Sequence, residues 1–255
     1  GTLRRDLAPG MMNPACKHAL EAALQIKEKY SAHITVITMG PSAAQEVLYE
    51  ALALGADNTI LICDKILAGS DTYATSWILA QAIKTQRADA DLILCGAFTS
   101  DSETAQVGPQ LAERMNLPAA AYAEKIEITG KTLRVRRIVD NFRETLEMEC
   151  PALVTVSMEN YLPRYVGLGG LQSAFGENRI QVLDAAALNI SAADIQKEGS
   201  RTKVRRVFLR KTQKENEYFT GVAVNVVNEF LNKYERKIST VIGKSIEGKE
   251  RSRGK

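Results

Sequence analysis

The chain has 255 residues, of which 45% are hydrophobic and 25% are charged, a balance typical of globular proteins and unlike that of disordered ones. Its formal charge of +3 is too small to indicate a nucleic-acid-binding protein, and no apolar run is long enough to span a membrane. The first residues lack the apolar segment of a signal peptide, and the four cysteines form no CxxC pair. We therefore expect a reduced, cytoplasmic protein with one large domain, or one domain with an arm.

The first 118 residues alternate segments of helical periodicity with short β-branched runs. Asn13-Pro14 opens a predicted helix, and further helices are predicted over residues 42–54, 70–87 and 104–116. Strands are predicted over residues 33–38, 59–63 and 91–95. Apolar strands that alternate with helices indicate a Rossmann-like α/β fold, with a parallel sheet covered by helices on both faces. Neither the G-x-G-x-x-G nor the G-x-x-x-x-G-K-[ST] fingerprint is present.

From Ala119 onward the pattern becomes antiparallel. Residues 125–129 and 133–136 alternate polar and apolar side chains around Gly130-Lys131, which predicts a hairpin. Residues 145–149 are expected to pair beside it, and residues 152–157 to form a buried strand. After Pro163 the chain is rich in glycine and has no clear period, which predicts a long loop leading into an extended arm. An amphipathic helix is predicted over residues 219–234.

Polar residues follow the predicted strands at their carboxyl ends, where open parallel sheets bind ligands. The third strand runs into residues 96–109, which are rich in hydroxyls and carboxylates. The helix after the second strand starts near residues 69–75, and the first helix starts at Asn13. Three polar junctions are therefore expected at one edge of the sheet.

Two interpretations of these junctions stay open at this point. In the first, helix N-termini and the hydroxyls of Thr72, Thr75 and Thr104 bind a nucleotide phosphate, while Asp101 accepts a hydrogen bond from a ribose. In the second, the same residues only cap their helices. Neither of the two histidines has the Ser or Cys neighbours of a nucleophilic site, so no catalytic residue is predicted, and no metal site either.

Several segments together resemble the beta subunit of electron-transferring flavoproteins. The resemblance covers about residues 1–208 and is strongest in Asp101–Pro109, which reads DSETAQVGP. The other matching segments are Asn13-Pro14, Met39-Gly40-Pro41, residues 51–57, residues 151–156, Pro163-Arg164-Tyr165 and residues 199–204. The resemblance also implies a further strand ahead of Gly1, and we expect the adenine or flavin contacts of that strand to come from outside this sequence.

The resemblance favours FAD over AMP as the cofactor of this subunit. The family's electron-bifurcating type has a loop close to D-G-D-T-A-Q-V-G-P and binds a second FAD, whereas the mitochondrial-like type has D-D-D-x-N-Q-T-G and a structural AMP. Residues 104–109 of this chain read TAQVGP and match the bifurcating form. Its residues 71–76 are similar to the threonine-rich segment that holds that FAD. Ser102, Glu103 and Ala97-Phe98 depart from the family pattern, which leaves bifurcation open.

The residues that we assign to the cofactor are Asn13, Met39, Thr72, Thr75, Gly96, Asp101, Ser102, Glu103, Thr104, Gln106 and Val107. Leu168 matches the family's leucine that plugs into a dehydrogenase, with an ordinary loop hydrophobe as the alternative. We accordingly expect a nucleotide- or flavin-binding α/β domain over residues 1–160. A partner-recognition loop and a C-terminal arm that contacts an alpha subunit are expected over residues 161–255.

The implied function is that of an electron carrier. With an alpha subunit, the protein would pass electrons between NADH or a flavin-containing dehydrogenase and another acceptor. In the bifurcating version, NADH is a substrate, and ferredoxin or flavodoxin takes one of the electrons. The alternatives are a nucleotide-binding module that holds AMP structurally without redox chemistry, and an ATP-pyrophosphatase-like enzyme of similar fold.

Overall fold

A computed structural model of the chain describes residues 10–140, 142–176, 179–202, 205 and 216–252. The chain divides into two compact units, residues 1–206 and residues 207–255. The first unit thus extends beyond residue 160, where the sequence-based division ended the α/β domain. Lys203 and Val204, the end of one segment of the resemblance, lie outside the described residues.

The described strands of the first unit form two sheets. The first sheet is parallel and has the order β1-β2-β8, with β1 Thr35–Met39, β2 Asn58–Ile62 and β8 Ile180–Leu183. The second has the order β3-β7-β4-β5-β6, with β3 Leu92–Gly96, β4 Ala119–Thr129, β5 Thr132–Val139, β6 Phe142–Glu149 and β7 Ala152–Val156. In this second sheet β3, β7 and β4 run parallel, while β4, β5 and β6 form the antiparallel part. The predicted Rossmann-like fold and its hairpin are confirmed.

Helices cover the parallel strands, which explains why those strands are apolar runs. The helices of the first unit are α1 Pro14–Tyr30, α2 Gln45–Leu54, α3 Thr72–Gln86, α4 Val107–Met115, α5 Leu168–Gly176 and α6 Ala192–Glu198. Every residue of β7 is buried. Pro14 opens α1 at a position where its missing N–H costs nothing, and Gly55 ends α2 with a φ of +122°.

Strands β1 and β3 pack on the same helix without pairing to each other. Ile37 of β1 and Ile93 of β3 join one apolar cluster with Ala80 and Ile83 of α3. Within the described part of the chain, no backbone ladder connects the two strands, so each has one unpaired edge. The further strand that the resemblance implies stays a prediction.

The prediction of a long loop after Pro163 was wrong, because this segment contains α5, β8 and α6. Ala174 of α5 is buried against Leu52 and Ala53 of α2. A side chain at Gly170 would overlap the Ala53 carbonyl group. The glycines that suggested a loop therefore permit close helix packing.

The second unit contains α7, Ala223–Ser252, which confirms the predicted C-terminal helix and extends it. Phe219, Phe230 and Tyr234 pack as an aromatic cluster at its start. Glu217 accepts hydrogen bonds from Lys233 and Tyr234.

Candidate functional site

Asn13 attaches the start of α1 to the loop that follows β3. Its Nδ2 donates to the carbonyl of Phe98 at 2.8 Å, and its Oδ1 accepts from the N–H of Ser100 at 3.0 Å. The side chain makes no capping bond to its own helix. Gly96, at the end of β3, permits this approach, since a Cβ there would lie 2.6 Å from the backbone of Ala15 and Cys16.

Thr72 and Gln106 join the starts of two other helices. The Thr72 hydroxyl donates to Oε1 of Gln106 at 2.7 Å. Thr72 is the first residue of α3, and Gln106 immediately precedes Val107, the first residue of α4. Thr75 follows one turn into α3. Side-chain hydrogen bonds therefore link the loop after β3 to both other predicted junctions, the start of α1 and the start of α3.

The loop after β3 is longer than predicted, because α4 begins at Val107 and not at Thr104. Glu103 and Ala105 have φ values of +49° and +53°, which an α-helix excludes. The Glu103 N–H donates to the carbonyl of Thr99 at 2.9 Å, and the Ser102 hydroxyl lies 2.9 Å from that of Thr99. Gln106 is the N-cap residue of α4 and no side chain caps this helix, so the interpretation that Thr104 caps it was wrong.

Hydroxyls and helix N-termini at this edge are suited to a nucleotide. Among the described residues, the hydroxyls of Thr75 and Thr104 have no hydrogen-bond partner, and Thr104 is exposed. The N-terminus of α4 lacks a side-chain cap, so its first N–H groups can bind an anion. The carboxylates of Asp101 and Glu103 favour sugar hydroxyls over a purely anionic group. These properties fit a ligand with both phosphate and ribose.

Met39 ends β1 and packs, partly buried, against the apolar cluster that contains Ile62 and Ile78. Its assignment to the cofactor stays a prediction. Across the described ranges, no group of His, Cys, Asp or Glu is arranged to hold a metal ion.

Asp71 is a residue of this edge that the sequence-based assignment omitted. Its Oδ1 accepts from the N–H of Ala74 and caps α3, while its Oδ2 accepts from the N–H groups of Arg201 and Thr202 at 2.8 and 2.9 Å. The Thr202 hydroxyl adds a further bond at 2.9 Å. Burial acts to raise the pKa of Asp71, but the N–H donors of Ala74 and Thr202 outweigh it, so the pKa is lowered. No local pattern indicates a contact across 130 positions.

Leu168 lies apart from this edge, at the first position of α5. Its side chain is 87% exposed, and Tyr165 is fully exposed. Arg164 attaches the preceding segment to α1 through Glu21. The structure therefore presents Leu168 at the surface, next to a fixed point of the chain.

An open hollow elsewhere on the surface does not coincide with the predicted site. It lies where α1 and α2 end, close to the amino ends of β1 and β2, and is lined by residues that include Lys27, His33, Asp57 and Arg164. Lys27 pairs with Asp57 at 2.6 Å. Since its principal charges are paired and parallel sheets bind ligands at the opposite edge, we place the site at the carboxyl edge.

The fold is that of an α/β protein of Rossmann type, with a polar edge at the carboxyl ends of its parallel strands. The model of the electron transfer flavoprotein domain matches residues 2–188, and the chain belongs to this family. It is 39% identical to the electron transfer flavoprotein subunit beta of Thermoanaerobacterium thermosaccharolyticum, over 92% of this chain and 88% of that one.

Two other relatives share the same identity with this chain. The electron transfer flavoprotein subunit beta of Clostridium acetobutylicum is 39% identical over 81% of this chain and 78% of its own. The caffeyl-CoA reductase-Etf complex subunit CarD of Acetobacterium woodii is 39% identical over 89% and 86%. The predicted beta-subunit family and its electron transfer role are confirmed. In the described ranges, no helix is both long and apolar enough to cross a membrane.

Proposed function

We propose that this chain binds FAD at the carboxyl edge of its parallel strands and works beside an alpha subunit as an electron carrier. The pair passes electrons between NADH or a flavin-containing dehydrogenase and other acceptors. In a bifurcating version, ferredoxin or flavodoxin is one of these acceptors. A bound flavin would supply the hydride and single-electron chemistry.

The hydrogen bond between Thr72 and Gln106 is the observation that carries this proposal. It brings the threonine-rich segment at the start of α3 next to the loop with the sequence Thr104-Ala105-Gln106-Val107. These are the two segments for which the resemblance favours FAD over AMP. Their contact supports one shared ligand site.

The chain's own groups would bind and orient the cofactor. The first N–H groups of α4 are suited to a phosphate, and the hydroxyl of Thr104 adds a donor. Asp101 and Glu103 can accept from ribose hydroxyls. Asn13 would act indirectly, because both ends of its amide are bonded to the loop that carries these groups.

The test is a cofactor count on the purified heterodimer. After denaturation, FAD and AMP are separated and quantified against protein. Two FAD per heterodimer is the expected result. One FAD with one AMP would reject FAD binding by this subunit and leave AMP as its structural ligand.

The partner assignment is tested separately. Leu168 is 87% exposed and follows the fixed Arg164 by four residues, so its truncation should weaken docking of a dehydrogenase without altering the fold. We expect Leu168→Ala to lower the rate of electron transfer from the dehydrogenase by about tenfold or more, as for a hot-spot residue. Ile66→Ala is the control, since Ile66 is also exposed and lies elsewhere in the first unit. Equal rates for both variants would reject the role of Leu168.

A further inference from the structure

Tyr122 has a backbone conformation that is unusual for a strand residue. It lies within β4, yet its φ is +60°, a region in which bulky residues are strained. The register of β4 against β7 shifts between Ala120 and Ala123, so Tyr122 lies in a bulge. Bulges re-aim side chains and are frequent beside binding sites.

This bulge lies at the same edge as the predicted cofactor site. Gly96, the last residue of β3, pairs with Val156 of β7, and Val156 pairs with Ala123 of β4. Because neighbouring strands are about 4.8 Å apart, Tyr122 and the start of the loop after Gly96 are separated by roughly 10 Å. A dinucleotide can span such a distance.

Thr155 holds the strained backbone of Tyr122. Its Oγ1 accepts the N–H of Tyr122 at 3.0 Å, and the side chain is buried. The methyl group of Thr155 lies against Gly108 in the first turn of α4, where a Cβ would come within 2.5 Å of it. Thr155 therefore contacts two parts of the structure. Its methyl group lies against the start of α4, and its hydroxyl accepts a hydrogen bond from Tyr122 in the bulge.

Tyr122 as a whole residue remains 40% exposed, so the strained backbone does not place it in the core. Strained backbone conformations cluster at ligand-binding sites, and Tyr122 combines such a backbone with a partly exposed side chain and a hydrogen bond to the buried Thr155. We propose that Tyr122 is a binding residue whose ring contacts the planar ring system of the adenine-containing cofactor. Thr155 and Gly108 are positioning residues for it. This inference rests on the proposed function.

The test uses the heterodimer, stripped of cofactor and titrated with FAD. Tyr122→Phe keeps the ring and should bind FAD within about threefold of the parent protein, because stacking needs no hydroxyl. Tyr122→Gly removes the ring and also relieves the strain. It should weaken binding by about tenfold or more and change the visible absorption of the bound flavin. Its melting temperature without cofactor should equal or exceed that of the parent, since glycine favours a positive φ.

Asp140→Gly is the matched control, because Asp140 has a φ of +48° in the turn between β5 and β6. It should also relieve a positive φ, by a smaller amount because aspartate tolerates the left-handed region better than tyrosine, and it should not change FAD affinity. Thr155→Val removes the acceptor, whereas Thr155→Ser keeps it, so only the valine variant should weaken binding. If Tyr122→Gly has the same FAD affinity and absorption as the parent, the inference is overturned. The proposed function would still hold in that case, provided that the parent heterodimer contains FAD in this subunit. A parent heterodimer without FAD in this subunit would overturn both.

Discussion

Arg164 binds both carboxylate oxygens of Glu21, although the two residues are 143 positions apart. Its Nε and Nη2 donate to Oε2 and Oε1 of Glu21 at 2.8 and 2.9 Å, and its Nη1 donates to Glu28 at 2.5 Å. Glu21 is only 5% exposed. Burial acts to raise the pKa of Glu21, but the hydrogen bonds from Arg164 and Gln25 and the charge of Arg164 outweigh it and lower the pKa. The pair fixes the segment before Leu168 onto α1.

Removal of the arginine should leave a buried charge without its partner. We expect Arg164→Ala to lower the free energy of unfolding by about 2 to 3 kcal/mol, less than for a fully buried pair because the guanidinium is partly exposed. The midpoint of urea unfolding of the heterodimer measures this loss. Arg134→Ala is the control, because Arg134 also forms a short pair, with Glu147 at 2.6 Å, but both of its side chains are exposed. An equal loss in both variants would contradict the buried-pair explanation.

Replacement of Asp71 by asparagine tests the contact between α3 and residues 201–202. The ionised carboxylate contributes stability above its ordinary pKa of 3.8. Because its pKa is lowered in the folded protein, this stability is lost as the pH falls below 3.8 through the folded value. In Asp71→Asn, an amide N–H₂ group would face the N–H donors of residues 201–202 or of Ala74. The substitution should therefore lower the free energy of unfolding by about 1 to 3 kcal/mol at pH 7. The deficit should shrink as the pH approaches 3.

Unfolding midpoints of parent and variant between pH 7 and pH 3 give the answer. Asp89→Asn, in an exposed turn, should follow the parent curve at every pH. A deficit of Asp71→Asn that stayed constant over this range would mean that the carboxylate charge is not what residues 201–202 recognise.

Local patterns predicted the α/β part well, because its strands and helices follow from apolar periodicity. The start of α4 was misplaced because Glu103 and Ala105 have positive φ values, which neither residue type indicates. Helix α5 was missed because its glycines suggested a loop, whereas Gly170 faces the Ala53 carbonyl group. The motifs predicted the candidate site, and its assignment to a cofactor stays a prediction. The contacts of Asp71 with Thr202, and of Tyr122 with Thr155, link distant segments and have no local signature.

Gly96 was assigned to the cofactor, and the structure adds a packing role. A Cβ at this position would lie 2.6 Å from the backbone of Ala15 and Cys16, so α1 and β3 would have to separate. Gly96→Ala should therefore destabilise the protein by about 1 to 3 kcal/mol even without cofactor. Gly169→Ala is the control and should stabilise the protein slightly. Nothing lies within 4 Å of a Cβ at this position, and alanine favours the α5 helix. The melting temperature of the cofactor-free heterodimer should fall in Gly96→Ala and rise slightly in Gly169→Ala. An unchanged melting temperature in Gly96→Ala would refute the close approach of α1 to β3.

Thr104 provides the direct test of the loop. It precedes α4 by three residues and its hydroxyl has no partner among the described residues, so Thr104→Val should leave the melting temperature of the cofactor-free heterodimer unchanged. If the hydroxyl binds a charged phosphate, its loss should cost about 1.5 to 3 kcal/mol of binding, or roughly tenfold to a hundredfold in Kd. The same high concentration of FAD should then stabilise the variant less than the parent, because the stabilisation by a ligand rises with the logarithm of its concentration divided by Kd. Thr85→Val, whose hydroxyl bonds only to carbonyls of its own helix, should gain as much from FAD as the parent does. Equal gains for the parent and Thr104→Val would place the cofactor away from this hydroxyl.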